Sequence, residues 1–346
     1  MPITIKDIAQ RAGVSRGTVD RVIHRRANVA PYVRQKVENV ITELGYRPNV
    51  IASRLAIKKQ INIAIILPHP SEDAYWNLPL SGIDDAMQEF KHLGIHYSRY
   101  FFNLVDPTSL ISACDKMKQG PVIDGIIIAP IFKQEAVTWY NDHPEMTVPI
   151  IVINSPISLS RNSFYIGQNS YQSGQIAAKL IQTSLHIVSK ILIINIGPKA
   201  LNAEHILEKE RGFRDHVKSN PGNPYITKIE LEDFSNNDYI ESQLKMCFDM
   251  HGQFDAVFIG NSRAYRVIDA IHHLSTKNIT IIGYDLLAEN IQYLKSGHID
   301  YLLDQNPRVH GYKAVKAIAD HLIFKASIKE TEYLPTSIII KENLMN

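Results

Sequence analysis

Two arginines, Arg16 and Arg21, lie in the stretch "GVSRGTVDRV" of residues 13–22. A guanidinium group pairs with phosphate and can form two hydrogen bonds with guanine, so this stretch predicts contact with a polyanion such as DNA. Asp20 lies in the same stretch, where DNA would repel it. Because Arg16 and Asp20 are four residues apart, they share one face of a helix. Three interpretations are open: Asp20 orients Arg16 toward a base, accepts from a cytosine amino group, or is an exposed acid without a role.

The surrounding pattern predicts three short helices. Apolar residues recur at helical spacing over residues 5–23 and again in "APYVRQKVENVITELGY". Thr4 can cap the first helix, Gly13 can end it, and Ser15 can cap the second. A small residue, a glycine and a β-branched residue around such a turn are typical of a helix-turn-helix, and here they are Ala9, Gly13 and Val19.

The charge is divided unevenly along the 346 residues, a length that suggests two or three domains. Residues 1–60 contain 12 Lys and Arg against 4 Asp and Glu, whereas the other residues contain 25 against 31. A basic head on an acidic body is typical of a nucleic-acid binder, although a solvated basic surface would have the same charge. The chain is 45% apolar and 21% charged, as globular proteins are.

The composition predicts a cytoplasmic protein. No apolar run approaches the roughly 20 residues that span a bilayer, and the first residues do not resemble a secretory signal. Cys114 and Cys247 lack a neighbour at metal or redox spacing, and both lie in amphipathic stretches, which predicts buried thiols. The 14 histidines are scattered without metal-ligand spacing, so we expect no metal and no cofactor.

From residue 61 onward, β-branched strands alternate with amphipathic helices, which predicts parallel sheets covered on both faces. The strands are "INIAIIL", "GIIIAP", "VPIIVIN", "KILIINI", "DAVFIG" and "ITIIGYD". We expect two α/β lobes with crossing strands and a ligand in the cleft between them. The predicted ranges are about 61–158 and 290–323 for lobe 1, and about 162–288 and 326–346 for lobe 2. The stretch that begins "HIDYLLD" would complete the first lobe, and "TSIIIKENL" the second.

An enzyme on this scaffold is a second hypothesis, beside a ligand-binding protein whose head contacts DNA. The chain lacks a phosphate-binding loop, a nucleophile elbow and a zinc-protease helix motif. A DNA-bound architectural protein with a vestigial body is a third hypothesis.

The head resembles the DNA-binding region of the LacI/GalR family of bacterial transcription regulators, from "TIKDIAQRAGVS" through "TV-RV" to "GYRPN--A--LA". The resemblance implies a helix-turn-helix domain over 1–46 and a hinge helix with linker over 47–60. It places Leu55 as a wedge between base pairs and Ala52 where two hinge helices pack closely. Asp20 departs from the family, in which serine is more frequent. The implied DNA-binding residues are Thr4, Ser15, Arg16, Gly17, Thr18, Asp20, Arg21, Asn49, Ala52 and Leu55.

The body, residues 61–346, resembles the sugar-binding proteins of the periplasm, most clearly in "YIGQNSYQSGQIAAKLI" and "GNSRAYRVIDAI". The position-by-position resemblance implies effector contacts from Asp73, Tyr75, Trp76, Asn154, Ser155, Lys209, Phe234, Asn261, Asp285 and Gln305. Asn261 and Asp285 directly follow strands, where open α/β sheets place ligands, but either could instead cap the next helix. Tyr75 and Trp76 could be core aromatics. His205 could lie on the cleft rim, although a solvated or structural histidine is the simpler interpretation.

The family resemblance implies a regulator, in most members a repressor, that is controlled by a small sugar-like effector. It would act as a homodimer on a near-palindromic double-stranded operator, without a membrane. Activation and co-repressor dependence are alternatives within the same family.

Overall fold

The computed structural model describes residues 3–23, 29–46, 60–159, 162–185, 190–197, 204–219 and 224–344. The chain divides into two compact units, Met1–Lys59 and Gln60–Asn346. Residues 47–59, which contain most of the predicted hinge and linker with Asn49, Ala52 and Leu55, lie outside the described residues.

The described part of the first unit forms three helices. They are α1 (Ile5–Ala12), α2 (Arg16–Ile23) and α3 (Pro31–Glu43). Thr4 caps α1 as predicted: its Oγ1 accepts from the Asp7 N–H at 3.4 Å, and the Asp7 carboxylate accepts from the Thr4 N–H at 2.8 Å. Gly13 ends α1 with φ 61°, a conformation that glycine adopts without strain. The side chains buried between the helices are Ile8, Ala9, Ala12, Val19, Val22, Val37 and Val40.

The second unit contains two six-stranded sheets, one in each lobe. The strands are β1 (Ile61–Pro68), β2 (Ile95–Phe102), β3 (Gly125–Ile128), β4 (Ile150–Ile153), β5 (Ser163–Gln168), β6 (Lys190–Ile196), β7 (Tyr225–Leu231), β8 (Ala256–Ile259), β9 (Thr280–Tyr284), β10 (Tyr301–Asp304), β11 (Thr331–Leu334) and β12 (Ser337–Ile339). The order in the first sheet is β11-β5-β4-β3-β1-β2, and all neighbours are parallel. The order in the second sheet is β12-β10-β9-β8-β6-β7, parallel except for the edge strand β12.

Helices cover the faces of both sheets, which confirms the predicted fold class. The helices of the first lobe are α4 (Asn77–Phe90), α5 (Pro107–Gln119), α6 (Lys133–Asp142) and α12 (Pro307–Phe324). Those of the second lobe are α7 (Ser170–Ser184), α8 (Glu204–Lys218), α9 (Asn237–His251), α10 (Ile268–Leu274) and α11 (Ala288–Ser296). Within the described ranges, no helix is long and apolar enough to cross a membrane.

The predicted lobe boundaries are wrong for three strands. β5 lies in the first sheet beside β4, not in lobe 2, and β10 lies in the second sheet beside β9, not in lobe 1. β11 pairs with β5 and therefore also belongs to lobe 1. The chain crosses between lobes after each of these strands, so each strand belongs to the sheet that the chain is leaving. The final strand β12 does complete the second sheet, as expected.

A pair of glycines lets two helices cross closely in each lobe. At the crossing of α7 and α8, a Cβ at Gly174 would lie 1.9 Å from the carbonyl oxygen of Lys209, and Gly212 faces α7 in the same way. At the crossing of α4 and α12, the corresponding glycines are Gly82 and Gly311. The first of these crossings fixes the backbone from which Lys209 reaches the cleft.

Candidate functional site

The second helix of the head presents a polar outer face. Val19 and Val22 are buried against the other helices, whereas Arg16, Gly17 and Arg21 are exposed. Arg16 and Gly17 are the positions that the family resemblance implies as base-reading, and Arg21 was expected beside them. Such a face can enter the major groove of DNA.

Two polar side chains fix the start of this helix. The Ser15 Oγ accepts from the Thr18 N–H at 3.1 Å, so Ser15 caps α2 as predicted. The two hydroxyl oxygens lie 2.9 Å apart and share a hydrogen bond. Ser15 is exposed, while Thr18 and Asp20 are half-buried. The structure therefore presents the predicted residues of α2 on one surface, next to an ordered turn.

A cavity lies between the lobes, at the carboxyl ends of strands from both sheets. The predicted effector residues that line it are Asp73, Tyr75, Trp76, Asn154, Lys209, Asn261, Asp285 and Gln305. The other described residues that line it are Leu104, Ile131, His205, Ile206, Ser262 and Arg263. The predicted residues Ser155 and Phe234 do not border the cavity. Each contacts a residue that does: Ser155 contacts His205, and Phe234 contacts Arg263.

The Asp285 carboxylate lies at the floor of the cavity and is fully buried. Gln305 donates to it from the side-chain amide at 2.6 Å and from the backbone N–H at 3.4 Å. Burial raises the pKa of this carboxyl above its usual range, while Lys209 and the Gln305 bonds oppose that rise. Asp285 has φ 63°, a backbone conformation that costs free energy in non-glycine residues. Because both of its hydrogen bonds come from Gln305, the carboxylate does not cap the following helix, α11.

Asn154 has the same left-handed backbone, with φ 67°, at the end of β4. Its Oδ1 accepts from the Tyr75 hydroxyl at 3.1 Å. Tyr75 and Trp76 are almost fully buried, and their rings meet edge to face with centroids 5.0 Å apart. They line the cavity and also pack in the first lobe. Both predicted interpretations of this aromatic pair, cavity lining and core packing, therefore apply. Strained backbone at two strand ends in one cavity is typical of a functional site.

The side chain of Asn261 forms hydrogen bonds with backbone groups. Its amide nitrogen donates to the Ile196 carbonyl oxygen, and its Oδ1 accepts from the Arg263 N–H at 3.3 Å. It thus combines the two predicted roles, cavity lining and capping of the following turn.

An ion pair that the sequence prediction missed joins the two lobes. Arg263 Nη2 lies 2.5 Å from Asp73 Oδ2, and both side chains are more than nine-tenths buried. Asp73 follows β1 in the first lobe, and Arg263 follows β8 in the second. The Arg263 guanidinium also donates to the Ile196 carbonyl oxygen at 2.8 Å and stacks over the Phe234 ring at 4.2 Å. Phe234 thus acts behind the cavity wall, not as the wall itself.

Lys209 is the second buried cation of the cavity. Its Nζ lies 3.6 Å above the centre of the Tyr284 ring and donates to the Gly260 carbonyl oxygen at 3.2 Å. Burial lowers the pKa of this ammonium group, and the negative charge of Asp285 opposes that effect. An aromatic face and a carbonyl oxygen both stabilise a cation that has lost its water.

His205 lines the cavity and is half-buried. Its Nδ1 shares a hydrogen bond of 2.8 Å with the Ser155 hydroxyl of the first lobe. Desolvation, with Lys209 and Arg263 nearby, lowers the pKa of His205 to about 3, so the ring is neutral at physiological pH. His205 is therefore a cross-lobe contact.

Asn290, which the sequence analysis did not select, ties two of the cavity loops together. This fully buried amide donates to the carbonyl oxygens of Ser262, Tyr284 and Asp285 at 2.8, 3.0 and 3.2 Å. Its Oδ1 accepts from the Tyr265 N–H at 2.9 Å. It thereby holds together the loop after β8, which carries Arg263, and the loop after β9, which carries Asp285. Among the described residues, no group of three His, Cys, Asp or Glu could hold a metal ion.

Two family descriptions match the chain. The description of bacterial regulatory proteins of the lacI family matches residues 4–49, and that of periplasmic binding protein domains matches residues 63–326. The ribose operon repressor of Lactococcus lactis is 25% identical over 290 residues, which cover 82% of this chain and 80% of the repressor. The HTH-type transcriptional regulator CelR of Thermobifida fusca is 22% identical over 98% of both chains.

A solved structure agrees with these relatives. A crystal structure from Bacteroides fragilis, described as a LacI transcriptional regulator, superposes with a TM-score of 0.75 and 26% identity. It covers 82% of this chain and 98% of its own length.

A helix-turn-helix head joined to a two-lobed domain of the periplasmic-binding type defines a DNA-binding transcription regulator. The chain belongs to the LacI family of bacterial regulatory proteins. Because its relatives are transcription regulators, the prediction of a regulator and not an enzyme is confirmed.

Proposed function

We propose that the chain is a repressor whose operator affinity is set by a monosaccharide-sized polyhydroxy effector bound between the lobes. The observation that supports this most is the pair of buried carboxylates in the cavity, Asp73 and Asp285. Each carboxylate accepts one protein hydrogen bond on each oxygen, and since a carboxylate oxygen can accept two, acceptor positions remain for hydroxyl groups. The faces of Tyr75 and Trp76 suit the C–H faces of a sugar ring.

The name of one relative favours the same effector class. The Lactococcus lactis relative is a ribose operon repressor and shares most of its length with this chain. Among the ten predicted effector residues, we propose direct contacts for the eight that line the cavity. Ser155 and Phe234 would act through His205 and Arg263.

On DNA, we propose that α2 lies in the major groove and that Arg16, Gly17 and Arg21 face the bases. Ser15 and Thr18 would contact phosphate beside them, since their hydroxyls lie at the start of the helix. A bidentate arginine–guanine contact discriminates against a wrong base by about 1–3 kcal/mol. Asp20 keeps its three interpretations: it orients Arg16, accepts from a cytosine amino group, or has no role in DNA binding.

Two heads on a homodimer would read a near-palindromic operator, because the symmetry of the protein matches that of the site. Residues 47–60 would form the hinge, with Leu55 inserted at the minor groove. Effector binding would change the lobe arrangement and so the ends of the hinges, with a coupling of about 1–3 kcal/mol. Since its target is chromosomal DNA, we propose that the protein works in the cytoplasm.

The test combines two measurements on the full chain. A thermal-shift screen against pentoses, hexoses, sugar acids, polyols and sugar phosphates identifies the effector, because a ligand at 100 times its Kd stabilises the folded state by about 2.7 kcal/mol. DNA selected from a random pool supplies the operator, which is then titrated with and without that effector. Release of the operator supports a repressor relieved by effector. Tighter binding would instead identify a co-repressor, and no effect would contradict the proposal.

A further inference from the structure

The Asp73–Arg263 ion pair is the only salt bridge among the described residues in which both side chains are more than nine-tenths buried. It spans the cleft, so it exists only when the lobes are close. Its carboxylate and guanidinium both line the cavity. A buried ion pair is strongly destabilised when one partner is removed, because the other charge is left in a dry site.

Both partners are fixed in place by other contacts. Asp73 Oδ1 accepts from the Tyr75 N–H at 3.0 Å, which directs the other oxygen toward Arg263. The guanidinium is held by the Ile196 carbonyl oxygen at 2.8 Å and by the Phe234 ring. Neither group can move away from the pair without breaking these contacts, so the site offers an incoming ligand a carboxylate and an arginine that are already joined.

The charges of the described cavity-lining residues are matched in number. They are the acids Asp73 and Asp285 and the bases Arg263 and Lys209. The negative charge of Asp285 stabilises the charged form of Lys209, and Arg263 is hydrogen-bonded to Asp73. A negatively charged ligand group would therefore find, among these residues, no basic side chain without an acidic counterpart.

We propose that the Asp73–Arg263 pair makes this site select a neutral polyhydroxy effector over its carboxylated or phosphorylated counterpart; this inference rests on the proposed function. Sugar hydroxyls can donate to the remaining acceptor positions of Asp73 while the ion pair stays intact. An anionic group would have to replace Asp73 on Arg263 and leave the carboxylate buried without its partner. The energetic cost of that exchange weakens the binding of the acid.

The substitution Asp73→Asn tests this directly. Asparagine keeps an Oδ1 that can accept from the Tyr75 N–H, but its amide cannot neutralise the guanidinium. Arg263 then becomes an unmatched buried cation that a ligand anion can occupy. We expect wild type to bind the neutral sugar at least tenfold more tightly than its acid, and D73N to reverse or abolish that preference. The double variant D73N/R263M, which removes both charges, should lose the new affinity for the acid.

The probes are D-galactose with D-galacturonate, D-glucose with D-glucuronate, and D-ribose with D-ribose 5-phosphate, measured by calorimetry on the full chain. The control variant is Asp85→Asn, which breaks the exposed Arg308–Asp85 pair outside the cleft and should change neither affinity. Equal binding of a sugar and its acid by wild type would overturn this inference and leave the proposed function standing. Failure of every sugar and acid to bind wild type would overturn both. The wild-type ratio decides the matter even if D73N is unstable.

Discussion

Replacing Asn290 by alanine removes one side chain that makes four hydrogen-bond contacts with the backbone of two cavity loops. An amide nitrogen has two hydrogens, so its three carbonyl contacts amount to two full bonds, and the accepted bond from Tyr265 makes a third. Each bond contributes about 1 kcal/mol net, and each orphaned buried group costs about 1–3 kcal/mol. We therefore expect Asn290→Ala to lower the free energy of unfolding by about 3–5 kcal/mol.

A second asparagine provides the matched control. Asn236 is exposed and caps α9 with a single bond, its Oδ1 accepting from the Tyr239 N–H at 3.1 Å. Asn236→Ala removes the same atoms and should cost about 1 kcal/mol. Urea titrations followed by circular dichroism measure both variants, and calorimetry measures the effector affinity, which should fall only for Asn290→Ala. Equal losses of stability, or an unchanged effector affinity, would refute the role assigned to Asn290.

Three other predictions concern the head, a buried histidine and a helix crossing. Arg16→Ala should lower the preference for operator over random DNA by about 1–3 kcal/mol, and Asp20→Ser should tighten binding to random DNA. Titrations of both DNAs at one salt concentration measure these effects. An unchanged preference in the Arg16 variant would exclude Arg16 from base reading. Burial lowers the pKa of His310 to about 4. Below its ordinary pKa of 6.5 the unfolded chain therefore takes up a proton at this residue that the folded chain does not, so His310 should contribute up to about 3 kcal/mol to the fall in the free energy of unfolding between pH 7 and pH 4. His310→Gln should flatten that fall in urea titrations, and the same slope in both proteins would contradict it. Gly174→Ala should lower the melting temperature and weaken effector binding, because its Cβ would lie 1.9 Å from the Lys209 carbonyl oxygen; a wild-type melting temperature would show that the crossing can yield.

Most residues of the cavity could be predicted because the family resemblance implied them, and the way parallel sheets are built supported two of them independently. Asn261 and Asp285 follow strands directly, and the carboxyl ends of neighbouring parallel strands converge at one edge of a sheet. Arg263 lies two residues after Asn261, and a charged residue so close to a predicted effector contact could have indicated a further residue of the cavity. Its partner Asp73 is 190 residues away in the other lobe, and no local pattern shows that the two loops meet.

Lobe membership and the role of Asn290 depend on information that is not local. A buried strand of either sheet would have the apolar character of β5 and β10, so their sequences do not show which sheet they join. Asn290 lies within α11, where an exposed asparagine would leave the same sequence pattern. Its function comes from backbone groups of Ser262 and Tyr284 that only the folded chain brings to it.

Operator titration of wild type and Asp285→Asn, each with and without the effector found in the screen, tests the central claim most directly. Asparagine tolerates the left-handed backbone at this position, so the fold should persist while the carboxylate that accepts from effector hydroxyls is lost. With a coupling of about 1–3 kcal/mol, effector should weaken operator binding by wild type by about 5- to 150-fold. The variant should bind operator as wild type does and show no response to effector. A variant that still responds at the same effector concentration would contradict the account.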